Sequence, residues 1–345
     1  MRSRPRRWNS GRPWERGSPE LLGRPALSEQ RSREPGGSML GGTRLVASDI
    51  DGTILSYALT ESGRITERTV RAFSRVRELG LEVVLVTGRP VRWLGPVADA
   101  LGEIGPVICS NGAVVYDLAE QRLLRQDPMA AEALFEAVER IRRIDPEVTF
   151  AAETLERVHA DVTFMEGSLF FEEERRRAAG ITEDMLRLGP VEQTLCDEGV
   201  GLDATAEGGD SRAADHVVKL LAKTTAADPD AFLERVHGSV GDLLKVTHSA
   251  PGVSLLELSA RGVDKAAALR RFADDRAIAR DQVIAFGDMP NDIEMLQWAG
   301  RSWAVGSAHP MARSAADHLT GSCDDDGVAA VLENLLAGGD GLIDG

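Results

Sequence analysis

At 345 residues the chain is long enough for two ordinary domains with sizeable cores. Its formal charge of −15 is unevenly spread: residues 1–38 hold nine Arg against four Glu, so the remainder carries about −20. So acidic a body argues against a nucleic-acid groove or an anionic membrane surface as the main partner. No apolar run approaches the roughly 18 residues of a membrane span. Cys109, Cys196 and Cys323 are widely spaced with no metal-type pairing, which fits reduced thiols in a cytoplasmic protein.

Residues 1–38 are rich in Arg, Pro, Gly and Ser and lack an apolar period, so a disordered extension is expected there. They lack the apolar stretch of a secretory signal, and four acids interrupt what would otherwise resemble a transit peptide. Met39 stands just before the first strand, so translation starts at Met1 or at Met39.

From Leu40 strand and helix alternate. Arg44–Ser48 reads as a buried strand; Val70, Phe73, Val76 and Leu79 then repeat every third residue on a helix ended by Gly80. Leu81–Val86 is a second apolar strand, running into Thr87-Gly88-Arg89-Pro90. A helix through Leu101 precedes a third strand, Val107–Cys109, which ends at Ser110-Asn111-Gly112. Apolar strands alternating with helices predict a doubly wound, Rossmann-like α/β fold with a parallel sheet buried on both faces. After a hairpin around Asp117–Gln121 the texture changes.

Residues 126–250 read as an inserted α+β domain, with helices at Met129–Ile144 and Asp230–His237 and strands at Val148–Ala152, His216–Lys223 and Leu243–Ser249. The first sheet is expected to resume at Ser254–Leu258. A helix from Asp264, a strand Val283–Phe286, a short strand Trp303–Val305 and a helix Val328–Leu336 follow. The core is thus expected over 39–125 and 251–337, with a flexible tail at 338–345.

Four polar clusters fall at the ends of these strands, where open α/β sheets bind ligands: Asp49/Asp51, Thr87, Lys265, and Asp288/Asn291/Asp292. Asp49 and Asp51 are two apart in extended chain, so both face one point, and Gly52 permits a sharp turn after them. That geometry suits a nucleophilic carboxylate beside a second that shuttles a proton. Phosphoryl transfer also needs donors and a cation for the equatorial oxygens. Hard oxygen ligands without soft ones point to Mg²⁺ rather than Zn²⁺.

The ordered set resembles the haloacid dehalogenase superfamily, specifically its Cof-type sugar-phosphate phosphatases with a class IIB cap, over about residues 43–337. Asp49-Ile50-Asp51-Gly52-Thr53 looks like the first motif and Val86-Thr87-Gly88-Arg89 like the second. Gly262-Val263-Asp264-Lys265 matches the third, and Gly287-Asp288 through Asp292-Ile293-Glu294-Met295-Leu296 the fourth. Ser110-Asn111-Gly112-Ala113 and Ala304–Pro310 are similar to further Cof-type segments, with Ser307 where Asn is usual. That departure puts any ligand role of position 307 in doubt.

The resemblance implies a phosphatase acting on a small phosphorylated metabolite. Asp49 would be the nucleophile and Asp51 the acid and base. Mg²⁺ would sit between Asp49, the Asp51 carbonyl and Asp288. Thr87, Lys265, Asn291 and the Ile50 and Gly88 amides would bind phosphate; Asp292 and Asn111 would support.

Each assignment has a plainer counterpart. Thr87 is placed to cap a helix before Pro90, Asn111 to form a turn before Gly112, and Asp292 to sit in a helix's first turn. A lysine at position 265 opposes the helix dipole, which favours function there. It is one of only four lysines, and the others, Lys219, Lys223 and Lys245, are expected on a solvated face. His309 reads as a structural turn residue, and Arg175–Arg177 as part of an exposed, salt-bridged helix. Arg89 either pairs with a carboxylate or reaches the substrate. Alternative readings are a phosphosugar mutase on the same scaffold, or a binding protein acting through the basic N-terminal segment. No nucleic acid or membrane partner is expected, and the chain is either a monomer or a homodimer.

Overall fold

The computed structural model describes residues 42–342 except 60–63, 103, 167–172, 174–181, 201–215 and 249–251. The readings of residues 1–38 and Arg175–Arg177 lie outside the described residues. In chain order the strands are β1 (Leu45–Ser48), β2 (Glu82–Val86), β3 (Pro106–Cys109), β4 (Val114–Asp117), β5 (Arg122–Gln126), β6 (Thr149–Glu153) and β7 (Val158–Ala160). Then come β8 (Leu186–Leu188), β9 (Lys219–Lys223), β10 (Leu244–Thr247), β11 (Leu255–Ala260), β12 (Val283–Gly287), β13 (Arg301–Ala304) and β14 (His318–Leu319).

Leu45, Val46 and Ala47 are fully buried, as a strand covered on both faces requires. They occupy the middle of an eight-stranded sheet in the order β14-β13-β12-β1-β2-β3-β4-β5. The pairings from β14 to β3 are parallel; β4 and β5 add an antiparallel edge, with the expected hairpin between them. The chain leaves β1 toward β2 and later returns on its other side as β12, so the strand order reverses between these two. That reversal opens a crevice at their C-terminal ends. Asp49 follows β1 and Asp288 follows β12, so the reversal alone brings the two acids together.

The second sheet has the order β10-β11-β9-β6-β7-β8 and is antiparallel except between β7 and β8. Phe150, Leu220, Ala222, Leu256 and Leu258 share a core with helices Ala131–Ile144 and Pro229–Val240. Side chains alternate along a strand, so Glu153, Lys219 and Glu257 fall on the opposite face. This is the inserted α+β cap.

Two expectations are corrected. The segment Ser254–Leu258 does not resume the first sheet: β11 lies between β10 and β9 in the second. From Leu256 to Ser259 its apolar and polar residues alternate, as suits a strand with one face on helices and the other on polar groups; a strand sealed on both faces would be uniformly apolar, like β1. The chain therefore rejoins the core after β11, not at residue 251. The described part of the C-terminal tail is also tied down. The Trp303 indole donates to the Gly341 carbonyl at 3.2 Å, and Gly341 N donates to Asn334 Oδ1 at 2.8 Å. β7 and β8 had no counterpart in the sequence reading, because three residues are too few to show a period.

Helix Lys265–Asp274 presents its N-terminus to the crevice, with Asp264 capping it by accepting from Ala267 N. Gly112 fits against this cap at φ +99°, and a Cβ there would lie 2.3 Å from the Asp264 carbonyl oxygen. Both the left-handed backbone and the contact require glycine. Gly112→Ala should therefore destabilise the protein by about 2 kcal/mol or more, measured by denaturant unfolding against wild type.

Candidate active site

The site is built on an excess of buried negative charge. Asp49, Asp288 and Asp292 are 5%, 2% and 0% exposed, and oxygens of all three approach within 4.8 Å of one another. One lysine serves them. Lys265 Nζ donates to Asp49 Oδ1 and to Asp292 Oδ1, each at 2.6 Å, and is itself buried. Asp292 is spoken for at both oxygens, since its Oδ2 accepts from the Asp288 and Met289 amides at 2.9 and 3.1 Å. Gly287 makes that turn possible: a Cβ there would sit 2.6 Å from the Asp292 Cβ. Asp292 thus positions Lys265 and the Asp288 loop rather than offering itself to a ligand.

Asp288 accepts from the Thr53 hydroxyl at 3.1 Å and from the Tyr57 hydroxyl at 2.8 Å. Gly52, at φ +77°, passes so close that a Cβ would lie 2.2 Å from Asp288 Oδ2. Tyr57 had no place in the sequence reading. It lies in a short turn beyond the first motif, eight residues from Asp49, where no spacing rule points to it.

These contacts leave the acids under-neutralised. Burial, reinforced by Asp292 and Asp51 and opposed by Lys265, pushes the Asp49 carboxyl up to about 7. Burial and then the charges of Asp49 and Asp292 raise Asp288 well above the carboxylate range. Burial also opposes the charge on Lys265, but Asp292 and Asp49 outweigh it and raise its pKa. Three carboxylates against one ammonium leave two surplus negative charges at one point, which protons or a divalent cation must balance. Asp49 and Asp288 are the pair placed to hold such a cation.

Asp51, expected to face the same point as Asp49, is instead tied to Arg89 and lies outside the cluster of three acids. Arg89 Nε and Nη2 each donate to one of its oxygens at 2.6 Å, a bidentate pair, and Nη1 donates to the Trp93 carbonyl at 3.2 Å. The open choice for Arg89 is resolved in favour of the carboxylate. Thr87, buried at the end of β2, accepts from Arg89 N at 3.1 Å through its hydroxyl oxygen. Asn111 has φ +55° and ψ +32°, conformations that Asn tolerates better than most side chains. Its Oδ1 accepts from Asn291 Nδ2 at 3.1 Å, while Asn291 Oδ1 is buried with no hydrogen-bond partner among the described residues. Asp49, Asp288, Asp292 and Lys265 therefore meet at one point. Asp51 and Thr87 are joined through Arg89, and Asn111 and Asn291, bonded to each other, line one cleft with Lys265. Ser307 is exposed.

The second sheet supplies residues that were not foreseen. Lys219, expected on a solvated face, is 3% exposed. Its Nζ donates to the Gly88 carbonyl at 2.8 Å and pairs with Glu257 at 3.2 Å and Glu153 at 3.1 Å. Arg92 Nη2 donates to Glu153 Oε1 at 3.0 Å, and Asn111 Nδ2 donates to Glu257 Oε2 at 2.7 Å. The signal available in the sequence was the scarcity of lysine combined with strand alternation. Lys245, half-exposed, pairs with Glu294 across the same boundary.

Asp230, His248 and His309 form a second group able to meet at one point. His248 Nε2 lies 3.2 Å from Asp230 Oδ1, and burial lowers the pKa of its imidazole. His309 Nδ1 accepts from Met311 N at 3.3 Å, capping the helix Pro310–Ala315 as a turn residue. The other ring nitrogen of His309 faces Asp230 at 3.8 Å. Of the two rings, His248 is within hydrogen-bonding distance of Asp230.

The sequence profile of the haloacid dehalogenase-like hydrolases matches residues 46–332. Curated relatives include the pyridoxal phosphate phosphatase YbhA of Escherichia coli, 24% identical over 85% of this chain and 99% of that protein. Another is the 5-amino-6-(5-phospho-D-ribitylamino)uracil phosphatase YitU of Bacillus subtilis, 26% identical over 85% of this chain and 97% of that one. Among solved structures, a haloacid dehalogenase-like hydrolase from B. subtilis superposes with a TM-score of 0.67 at 23% identity, covering 85% of this chain and all of that one. A subclass IIB sugar phosphatase superposes with a TM-score of 0.64 at 19% identity, covering 85% and 98%. The fold, the order of the motifs and the match along the chain agree: this protein belongs to the haloacid dehalogenase-like hydrolases.

Proposed function

We propose that the protein is a Mg²⁺-dependent phosphatase that hydrolyses a small phosphorylated metabolite through an aspartyl-phosphate on Asp49. The observation that carries this reading is the surplus of two buried negative charges at Asp49 and Asp288 beside a lysine that also faces the crevice. A divalent cation with hard oxygen ligands matches that surplus in charge and chemistry, with Asp49 and Asp288 as its side-chain ligands and the Asp51 carbonyl as a third. When bound, it would offset the repulsion between an anionic nucleophile and an anionic phosphate. The match of phosphatase-named relatives along nearly their whole length supports the same class.

In this reading an Asp49 carboxylate oxygen attacks phosphorus and the bond to the leaving oxygen breaks. Asp51, freed from Arg89 and protonated from solvent, gives that oxygen its proton and becomes a carboxylate. A water molecule then attacks the phosphorylated Asp49; Asp51 takes its proton, and the P–O bond to Asp49 breaks to release inorganic phosphate. Lys265, the Thr87 hydroxyl, Asn291 and the Ile50 and Gly88 amides hold the phosphoryl oxygens. Asn291 would meet a phosphoryl oxygen through Nδ2, which in this structure donates to Asn111 Oδ1 at 3.1 Å; its buried Oδ1 can only accept and is left for a donor group of the ligand. The cap over the strand ends would exclude water from the reaction.

A screen of phosphorylated metabolites should find phosphate release that needs Mg²⁺ and stops with EDTA. Asp49→Asn should lower it at least about 100-fold on every substrate. Turnover by that variant at the wild-type rate would refute the nucleophile.

A second prediction follows from the raised carboxyls. In the metal-free protein Asp49 binds its proton more tightly folded than unfolded. Its contribution to stability is therefore present below about pH 4 and is lost as pH rises through about 7. The cation replaces the proton, so added Mg²⁺ should raise the melting temperature clearly at pH 8 and little at pH 5.5. Asp49→Asn should raise the metal-free melting temperature at pH 8 and remove most of the Mg²⁺ effect. Calorimetry at the two pH values checks both.

A further inference from the structure

Tyr57 reaches the site from outside every motif, and no step of the proposed reaction uses it. It opens a short turn, Tyr57–Leu59, that buries none of its residues, and it is itself 40% exposed. Yet its hydroxyl points inward to a carboxylate that is only 2% exposed, donating to Asp288 Oδ2 at 2.8 Å. A Cβ on Gly52 would lie 2.2 Å from that same oxygen and 2.3 and 2.7 Å from Cε2 and Cζ of Tyr57. Ring and carboxylate therefore meet over a position that only glycine leaves open. A ring this exposed gains less from burial than a core aromatic does, so packing alone does not account for its placement.

The chemistry of the donors separates Asp288 from its neighbours. Asp49 and Asp292 share the ammonium of Lys265, and Asp51 is held by the Arg89 guanidinium. Asp288 differs: among the described residues its two oxygens are bonded to neutral hydroxyls, Oδ1 to Thr53 at 3.1 Å and Oδ2 to Tyr57. A hydroxyl fixes the direction of a carboxylate without cancelling its charge, whereas Lys or Arg would do both. Each bond takes one of the roughly four acceptor sites of the carboxylate, which leaves a site on either oxygen for a cation. The two hydroxyls thus hold Asp288 in one orientation and leave its charge for an ion to balance, as a ligand for a hard cation requires.

We infer that Tyr57 is a positioning residue for the cation: its hydroxyl sets the orientation in which Asp288 ligates Mg²⁺, and so sets the affinity of the site for the ion. This inference rests on the Mg²⁺-dependent phosphatase reading and adds to it a residue that acts through Asp288. An outer hydrogen bond of this kind acts on the binding of the ion more than on the later chemistry, because an ion in place holds the carboxylate itself. Its removal weakens the site about ten- to a hundredfold and leaves turnover at saturating Mg²⁺ close to the wild-type rate.

The test is a Mg²⁺ titration of the full chain, stripped of metal with EDTA and dialysed. It is read by melting temperature at pH 8 and, in parallel, by the Mg²⁺ concentration that gives half-maximal phosphate release from p-nitrophenyl phosphate. Tyr57→Phe, which removes only the hydroxyl, should raise both Mg²⁺ concentrations about ten- to a hundredfold, with kcat at saturating Mg²⁺ within about threefold of wild type. Tyr57→Leu, which removes ring and hydroxyl together, should weaken binding by a similar factor, and it serves as the test variant should the Phe protein fail to fold. Binding of Mg²⁺ within about twofold of wild type would overturn the inference, whatever the metal-free melting temperature does, since the contact would then only anchor the turn. Tighter binding by the Phe variant would overturn it as well, because the hydroxyl would then be a competitor of the ion. A loss in the Leu variant with none in the Phe variant would assign the effect to the ring and have the same consequence. If Mg²⁺ moved neither the melting temperature nor the activity of the wild type, the Mg²⁺-dependent reading would fall first, and this inference with it.

Discussion

The structure turns on one electrostatic constraint: three carboxylates are buried at one point against a single lysine. Nothing in the stability of the fold asks for this, since buried like charges repel and each costs desolvation. The fold tolerates it because every neighbour is arranged around it. Asp292 is satisfied by Lys265 and two backbone amides. Asp288 is held by Thr53 and Tyr57. Asp49 is left with Lys265 as its bonded partner among these groups, and it is the acid whose pKa moves to about 7. The two carboxylates left short of positive charge are thus those at the ends of β1 and β12. In the proposed reading a bound cation would offset this surplus charge, so that part of the folding stability becomes affinity for the ion.

Topology explains why these groups meet. Asp49 and Lys265 are 216 residues apart, yet the reversal of strand order between β1 and β12 and the N-terminus of the helix at Lys265 converge on one crevice. A lysine at a helix N-terminus is mildly disfavoured by the helix dipole. Two carboxylates at 2.6 Å outweigh that penalty many times over. Glycines do the remaining work at close quarters. Gly52 admits Asp288, Gly287 admits Asp292, and Gly112 admits the cap of the lysine's helix.

Much of this was legible in the sequence, for a physical reason. Strands sealed on both faces must be uniformly apolar, so β1, β2, β3 and β12 stand out, and the polar residues directly after them declare themselves as site residues. Asp49, Asp51, Thr87 and Asp288 were found this way; Lys265 stood out instead as one of four lysines, placed against the dipole at a helix start. What stayed hidden lies where that contrast fails. β11 alternates, so neither its sheet nor the contacts of Glu257 follow from local pattern; both depend on pairing with β9 and β10. Lys219 looked like a surface lysine because alternation shows which residues share a face but not what covers it. Arg89 was ambiguous because an arginine after a strand reaches a carboxylate and a substrate equally well. The bidentate geometry to Asp51 decides it only once the two loops are placed side by side.

The two sheets divide the labour along the same lines as their cores. Each has its own apolar cluster, one wrapped around β1 and one around β6, β9 and β11. Between them the bonded contacts are largely polar: Lys219 to Gly88, Glu257 to Asn111, Glu153 to Arg92, Lys245 to Glu294. An apolar seam would weld the sheets into one body, whereas ionic contacts can be exchanged for water or for a ligand's own polar groups at modest net cost. The inner contacts are buried and specific; the outer pair is half-exposed and weakened by salt. Each sheet can then keep its own core while the contacts between the two are exchanged.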